Sequence, residues 1–183
     1  MQLKSLSISL LSLWLSLTSL QSHPTYGDTK AFFSPAPFTQ ESIRDQIIKH
    51  INLSRKSIDI AIYDFTAGPI AQALLDAKDR GVEIRVIMDD RQIKKDTKGH
   101  SEYGFLKNNG FNLKVLSGIK GYGIMHNKIA VYDGGIVQTG SYNWSDNAEY
   151  NSWENVVFID GGPTVKRYQD YFEKMWNYQE GRE

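Results

Sequence analysis

The stretch HNKIAVYD at residues 126–133, followed by GSYN at residues 140–143, decides how this chain is interpreted. Together the two segments read H-x-K-x4-D-x6-G-S-x-N. The apolar residues on either side of Asp133-Gly134-Gly135 predict two adjacent strands joined by a tight turn. The hairpin therefore carries an imidazole, an ammonium group and small hydrogen-bond donors. These groups are suited to binding and cleaving a phosphodiester without a metal ion.

Each polar residue of the motif has a chemical role that its position allows. His126 can act as a nucleophile or as a general acid/base at neutral pH. Lys128 follows two residues later, so both side chains project from the same face of a strand, and its charge can neutralise a phosphate oxygen. Ser141 and Asn143 are also two residues apart and can donate hydrogen bonds to the same phosphate. Asp133 is a catalytic candidate through its place in the motif, but its odd spacing from Lys128 favours a role in bracing the hairpin.

The periodicity of the chain predicts a single α/β domain. The predicted elements are a helix from Thr39 to about Lys56, strands at 57–63 and 82–88, a helix from Pro69 ended by Gly81, a helix at 101–109, strands at 111–116, 128–132, 136–139 and 155–159, and a helix at 163–178. The first half alternates helices and strands, which is typical of parallel pairing. We therefore expect a mixed, largely parallel β-sheet flanked by helices.

The N-terminal region has the composition of an export signal. Lys4 precedes a leucine- and serine-rich run at residues 6–20, which predicts a signal peptide over 1–22 and a domain over 23–183. An uncleaved N-terminal anchor is the alternative. The chain has no cysteine. A glycan on the sequon at 143–145 would block the motif, so we expect a bacterial periplasmic or secreted protein rather than a glycosylating pathway.

The overall charge excludes a generic polycation, because 21 basic residues balance 21 acidic ones. Contacts with nucleic acid would need a local basic patch. The candidates for such contacts are Arg91, Lys94, Lys95, Lys98 and Lys120. The first four form a run after the second strand, which can equally be a solvated loop. Asp89 and Asp90 have no further acid or histidine at a useful spacing, so no metal site is predicted.

The motif resembles that of the phospholipase D superfamily. Over about residues 34–176 the chain is most similar to the small single-motif members of that family, the periplasmic endonucleases. The segments YDFT at 63–66 and Glu154-Asn155 also fit the family pattern. The resemblance implies a phospholipase D-like fold, no cofactor, and one active site shared by a homodimer. His126 of one subunit would form a phosphohistidine, while His126 of the other would protonate the leaving oxygen and then activate water.

The resemblance also implies roles for the remaining residues. Lys128 and Asn143 of both subunits would hold the phosphate, with Ser141 assisting. Glu154 resembles the family acid that accepts the far imidazole N–H and orients the ring. Glu149 is the alternative for that role.

The sequence favours nucleic acid over lipid as substrate. The short chain leaves little material for a lid over a lipid, the basic run offers a track for a nucleic-acid backbone, and no amphipathic interfacial helix is evident. We therefore expect a homodimeric, non-specific endonuclease acting on DNA or RNA, without stable membrane association once the signal is removed. The alternatives are a phospholipase D or cardiolipin hydrolase, and a non-catalytic nucleic-acid-binding module.

Overall fold

The computed structural model describes residues 28–119 and 122–179, so the predicted signal peptide lies outside the described residues. In chain order the elements are β1 (Thr29–Ser34), α1 (Ala36–Thr39), α2 (Ile43–Leu53), β2 (Ser57–Ile62), α3 (Gly68–Asp79), β3 (Glu83–Asp89), α4 (Asp90–Lys95), α5 (Tyr103–Asn108), β4 (Asn112–Leu116), β5 (Lys128–Tyr132), β6 (Ile136–Gly140), α6 (Asp146–Tyr150), β7 (Glu154–Asp160) and α7 (Gly162–Asn177). Within these residues the seven strands form one sheet of order β1-β7-β6-β5-β2-β3-β4.

The sheet is mixed, as expected, but it is not largely parallel. Among the described strands only the β2–β3 and β3–β4 pairings are parallel, and the other four are antiparallel. The alternating first half does produce the parallel strands. The hairpin β5–β6 and the strand β7 then extend the sheet by antiparallel pairing, which β5 begins beside β2. Helix–strand alternation predicts the first pattern but carries no information on the second.

The sequence did not predict four of the elements, namely β1, α1, α4 and α6. β1 lies at the sheet edge, and only Phe32 and Ser34 of its side chains are buried, so its alternation is weak. α4 occupies residues that were expected to form either a phosphate-contacting run or a solvated loop. α6 is a single short helix that Ser145 caps by accepting a hydrogen bond from the backbone N–H of Ala148.

The two faces of the sheet are covered by different helices. Ile58, Ile60 and Ile62 of β2 pack with α2 and α3 in the main core, because side chains two residues apart share a face. Ala61 points to the opposite face, where it packs with Phe172 of α7. No helix within residues 28–119 and 122–179 is both long enough and apolar enough to span a membrane.

The pairing directions bring the functional motif to one edge of the sheet. The C-terminal ends of β2, β3 and β6 and the N-terminal ends of β5 and β7 all lie at this edge. We call this row of strand ends the motif edge, since His126 lies just before β5 and Ser141 just after β6. Residues far apart in the sequence meet there because neighbouring antiparallel strands begin where their partners end.

Asp133 lies at the opposite end of β5, in the predicted hairpin turn. It has φ 52°, and Gly134 has φ 65°, as a tight hairpin turn requires. The Asp133 carboxylate accepts hydrogen bonds from the backbone N–H groups of Arg55, Lys56 and Ser57, with the shortest at 2.7 Å. Burial alone would raise the pKa of Asp133, but these donors hold it below its ordinary value. Asp133 therefore ties the hairpin to the start of β2.

Replacing Asp133 by Ala should lower the free energy of unfolding by about 2 kcal/mol, because three backbone donors lose a charged acceptor. The folded-state pKa is depressed, so this stabilisation is present above the ordinary Asp pKa and is lost as the pH falls through the lower folded value. Urea unfolding at several pH values measures the effect. Asp133→Asn keeps one acceptor oxygen and should lose less. Unchanged stability with lost catalysis would assign Asp133 to the chemistry instead.

Candidate active site

His126 presents its imidazole at the surface of the motif edge. Its side chain is exposed, and the ring of Tyr63 lies edge-on to it with 4.5 Å between centroids. Tyr63 immediately follows β2, and its backbone N–H donates to the carbonyl of Asn127 at 2.8 Å. In the described part of the chain neither ring nitrogen of His126 has a hydrogen-bond partner. The imidazole is therefore held in place by a ring contact while its nitrogens stay accessible.

Lys128 is a buried cation without a carboxylate partner. Its side chain is 6% exposed, and Nζ donates to the carbonyl oxygen of His126 at 3.1 Å. The same Nζ lies 4.8 Å from the centre of the Tyr63 ring. Among the described residues it forms no salt bridge. A buried ammonium group that forms no salt bridge favours the binding of an anion at this position.

Burial and charge set the protonation of both groups. Burial lowers the pKa of Lys128, and the nearby carboxylates of Glu154 and Asp64 oppose this only in part. Burial also lowers the pKa of His126, and the positive charge of Lys128 lowers it further. The lowered pKa favours the neutral form of His126, and a neutral imidazole is the form that can attack phosphorus.

Ser141 and Glu154 are brought together across the β6–β7 pair. The Ser141 hydroxyl donates to the Glu154 carboxylate and accepts from the backbone N–H of Asn155 at 3.2 Å. Gly140 makes this approach possible, because a Cβ there would lie 2.1 Å from the carbonyl oxygen of Asn155. The glycine of the motif is thus required by close backbone packing.

Asn143 lies between two fully buried aromatic residues. Tyr142 and Trp144 are both 0% exposed and pack in the main core. The backbone N–H of Trp144 donates to the carbonyl of Asp64 at 3.1 Å, which joins the segment after β6 to the segment after β2. The Oδ1 atom of Asn143 is buried without a hydrogen-bond partner in the described part of the chain. The amide nitrogen is then the Asn143 atom available to a ligand.

The two acids considered as histidine orienters have different environments. Glu149 is 1% exposed and accepts hydrogen bonds from the Tyr142 hydroxyl at 2.8 Å and the Arg44 backbone N–H at 3.2 Å. It supports the α2–α6 contact and is not accessible at the motif edge. Glu154 lies at the edge, where it raises the pKa of Lys128. The placement therefore favours Glu154.

Asp89 is a further residue of the site that sequence reasoning missed. Its carboxylate is 0% exposed and accepts from the backbone N–H groups of Arg91 and Gln92, which caps α4. The other carboxylate oxygen accepts from the backbone N–H of Met125 at 2.8 Å. Asp89 thus holds the residue immediately before His126. An Asp at a strand end signals a helix cap, but the bond to Met125 spans 36 residues and leaves no local sequence signal.

The basic candidates are spread over α4 and the residues after it. Arg91 donates to the carbonyl of Tyr122 at 2.7 Å, and Lys94 forms an ion pair with Asp90 at 2.7 Å. Lys95 and Lys98 are exposed. Lys120 lies outside the described residues. Since α4 directly follows β3, this helix lies at the motif edge. The structure therefore brings together His126, Lys128, Ser141, Asn143 and Glu154, places α4 beside them, and leaves Asp133 roughly 20 Å away at the far end of β5.

An apolar groove of about 440 Å³ adjoins the site on its α7 side. Its lining includes Met125 and Asn127, the two neighbours of His126 in the chain. The apolar side chains that line it are Leu116, Ile119, Ile124, Tyr171, Met175 and Tyr178. The motif edge thus borders both a basic helix and an apolar surface.

Comparison with known proteins agrees with this geometry. Residues 47–176 match the family described as cardiolipin synthase, PLD-like domain, so the chain belongs to the PLD-like domain family of the phospholipase D superfamily. Members of this superfamily include phosphodiesterases and other hydrolases.

Two solved structures are similar over most of their length. NucT from Helicobacter pylori is 33% identical, with a TM-score of 0.71, over 81% of this chain and 96% of that one. Nuc from Salmonella typhimurium, a phospholipase D family member, is 28% identical with a TM-score of 0.69, over 82% and 94%. The mitochondrial cardiolipin hydrolase of Xenopus tropicalis is 32% identical over 78% of this chain, which spans 64% of that protein's length.

Replacing Lys128 by Gln should raise the pKa of His126 towards its ordinary value, because a nearby positive charge is removed. The shift will be partial, since burial is the larger cause of the lowered pKa and remains. A pH titration of the His126 Cε1–H signal by NMR measures it. Lys95→Gln, which removes an exposed cation from α4, is the matched control and should leave the titration unchanged. No shift in the Lys128 variant would contradict the electrostatic coupling.

Proposed function

We propose that this chain is a metal-independent endonuclease that hydrolyses nucleic-acid phosphodiesters through a phosphohistidine intermediate. The observation that supports it best is the buried, unpaired ammonium group of Lys128 beside the accessible imidazole of His126. Lys128 forms no salt bridge among the described residues. A phosphodiester carries a negative charge that can pair with it. Its phosphorus atom is the electrophile that a neutral imidazole attacks.

Besides the nucleophilic His126, the mechanism needs a proton donor, and a homodimer supplies it. In the first step a nitrogen of His126 forms a bond to phosphorus while the bond from phosphorus to the leaving oxygen breaks. His126 of the partner subunit, which must be protonated at this stage, gives that oxygen its proton and becomes neutral. In the second step the same partner residue takes a proton from water, the water oxygen attacks phosphorus, and the P–N bond breaks. Within the described residues of one subunit, one histidine lies at the motif edge beside Lys128. Because the proposed mechanism uses two imidazoles, the second comes from the partner subunit, and the site is shared.

The other residues hold the charge that develops on the phosphate. Lys128 neutralises a non-bridging oxygen, and the Asn143 amide nitrogen donates to the same group. Ser141 assists from the segment after β6. Glu154, held by the Ser141 hydroxyl, orients the imidazole of the partner subunit. Asp133 acts through the stability of the hairpin and does not contact the substrate.

Nucleic acid is the preferred substrate because α4 supports a polyanionic strand next to the site. Lys95 and Lys98 are exposed there and can contact phosphates on one side of the scissile bond. Phospholipid hydrolysis is the second candidate. The apolar groove beside His126 has room for an acyl chain, and the similarity to cardiolipin hydrolases points the same way. The same phosphoryl chemistry would serve either diester.

Purified residues 23–183, the proposed mature chain, should cleave plasmid DNA or RNA in excess EDTA. His126→Ala should reduce the rate by about a thousandfold or more, because the nucleophile is lost. His100→Ala, which changes an exposed histidine in the turn after α4, is the matched control. Release of head groups from phospholipid vesicles, with nucleic acid left intact, would replace the nuclease by the lipid hydrolase.

Mixing subunits tests the shared site. Equal amounts of wild type and His126→Ala, exchanged by mild denaturation and refolding, form wild-type, mixed and mutant dimers in a random ratio. If each site needs both imidazoles, activity should fall to about a quarter of that of the same total amount of wild type. Independent sites would retain about half. Full activity of a protein that sedimentation analysis shows to be a monomer would also refute the model.

A further inference from the structure

Two large aromatic side chains stand exposed at the motif edge. Trp153 is 79% exposed and Phe38 is 75% exposed, and their ring centroids lie 5.9 Å apart at an interplanar angle of 36°. In the described part of the chain, the aromatic ring that contacts Trp153 is Phe38, and the ring that contacts Phe38 is Trp153. Rings this exposed contribute little to the core, and a paired apolar surface at such a place is typical of a binding site.

The pair is held on rigid supports. The Ser152 carbonyl accepts a hydrogen bond at 2.9 Å from the hydroxyl of Ser34, which is 2% exposed. The backbone N–H of Ser152 donates to the carbonyl of Asn147 at 3.0 Å, and the Asn147 side-chain amide donates back to the Ser152 hydroxyl at 2.9 Å. Trp153 is therefore presented by a fixed segment, so a ligand would meet it without a large ordering cost.

The position of the pair relative to the phosphate-binding groups follows from the sheet register. Gly140 is paired with Val156, and Lys128 begins the strand on the other side of β6. Trp153 and His126 both precede the N-terminal ends of their strands, which are two strand spacings apart. This places them about 10 Å from each other along the edge. A substituent of the bound phosphodiester on the β7 side must pass the two rings.

The charge around the pair selects among the possible occupants. Glu41 and Glu154 are the nearest acids in the sequence, and the nearby Arg44 guanidinium is 12% exposed and paired with Asp146. An anionic membrane surface is attracted by free Lys and Arg beside aromatic residues, and this surface offers carboxylates instead. An uncharged nucleobase is not repelled by them, and its flat face matches the rings.

We propose that Phe38 and Trp153 form a stacking platform for an unpaired nucleobase next to the scissile phosphate. This inference rests on the proposed nuclease function and specifies single-stranded nucleic acid as its preferred substrate. In a duplex each base is already stacked and its face is not available. The platform and the basic residues of α4 then engage the strand on opposite sides of the site.

Binding of labelled oligonucleotides tests the platform in the inactive His126→Ala protein. Trp153→Ala should weaken binding of a single-stranded oligonucleotide by about tenfold. Trp153→Phe, which keeps a stacking ring, should retain most of the affinity. Leu53→Ala is the matched control, because it removes an exposed apolar side chain from the end of α2. Binding of duplex DNA, and of an oligonucleotide of abasic residues, should be equal in the Trp153→Ala and unmodified proteins.

Several results would overturn the platform. An equal loss of duplex and abasic binding would show that no base is stacked. Dissociation of the dimer by Trp153→Ala, measured by sedimentation, would assign the pair to the subunit contact. Loss of binding to anionic vesicles with unchanged oligonucleotide binding would assign it to a membrane. If the parent protein neither binds nor cleaves nucleic acid, the proposed function fails as well, whereas active nuclease with unaltered Trp153→Ala binding refutes the platform alone.

Discussion

The antiparallel insertion of β5 between β2 and β6 is the constraint on which the site depends. Lys128 is paired with Ile62 on one side, and Ile129 is paired with Thr139 on the other. With both neighbours hydrogen-bonded, a shift by one residue would turn Lys128 to the opposite face and would exchange the two faces on which the buried side chains of β5 pack. The position of His126 follows from this register, and Asp89 and Asp133 secure the two ends of the strand.

The buried ammonium group of Lys128 is costly for the free protein and useful for its chemistry. Removing a cation from water without a salt bridge destabilises the fold, and a carbonyl oxygen, the face of Tyr63 and the nearby carboxylates of Glu154 and Asp64 compensate for it in part. An anion bound at the site would relieve that cost, so part of the binding free energy is prepared in advance. Burial, and after it the same charge, lowers the pKa of the neighbouring imidazole. In the proposed mechanism one electrostatic arrangement thus serves both phosphate binding and nucleophile activation.

In the proposed mechanism, the residues around this centre determine which substituents of the phosphate can be bound. A basic helix, an apolar groove and an exposed aromatic pair occupy different parts of the motif edge. None of them takes part in the proposed phosphoryl chemistry, which is assigned to groups just before and within β5, in the segment after β6 and at the start of β7. Substrate choice in this fold is therefore a property of the loops and short helices around a common centre.

The sequence by itself determined the elements and groups whose signals are local. Alternation predicted β2, and the apolar residues beside the readable hairpin turn at Asp133 and Gly134 predicted β5. The spacing of His126 and Lys128 predicted the chemistry that we propose. Tertiary structure alone decided the antiparallel half of the sheet, the edge strand β1, the burial of Glu149 and the bond from Asp89 to Met125. These features depend on residues dozens of positions apart. Side-chain periodicity and turn chemistry report only on a few neighbouring residues, so they carry no record of such pairings.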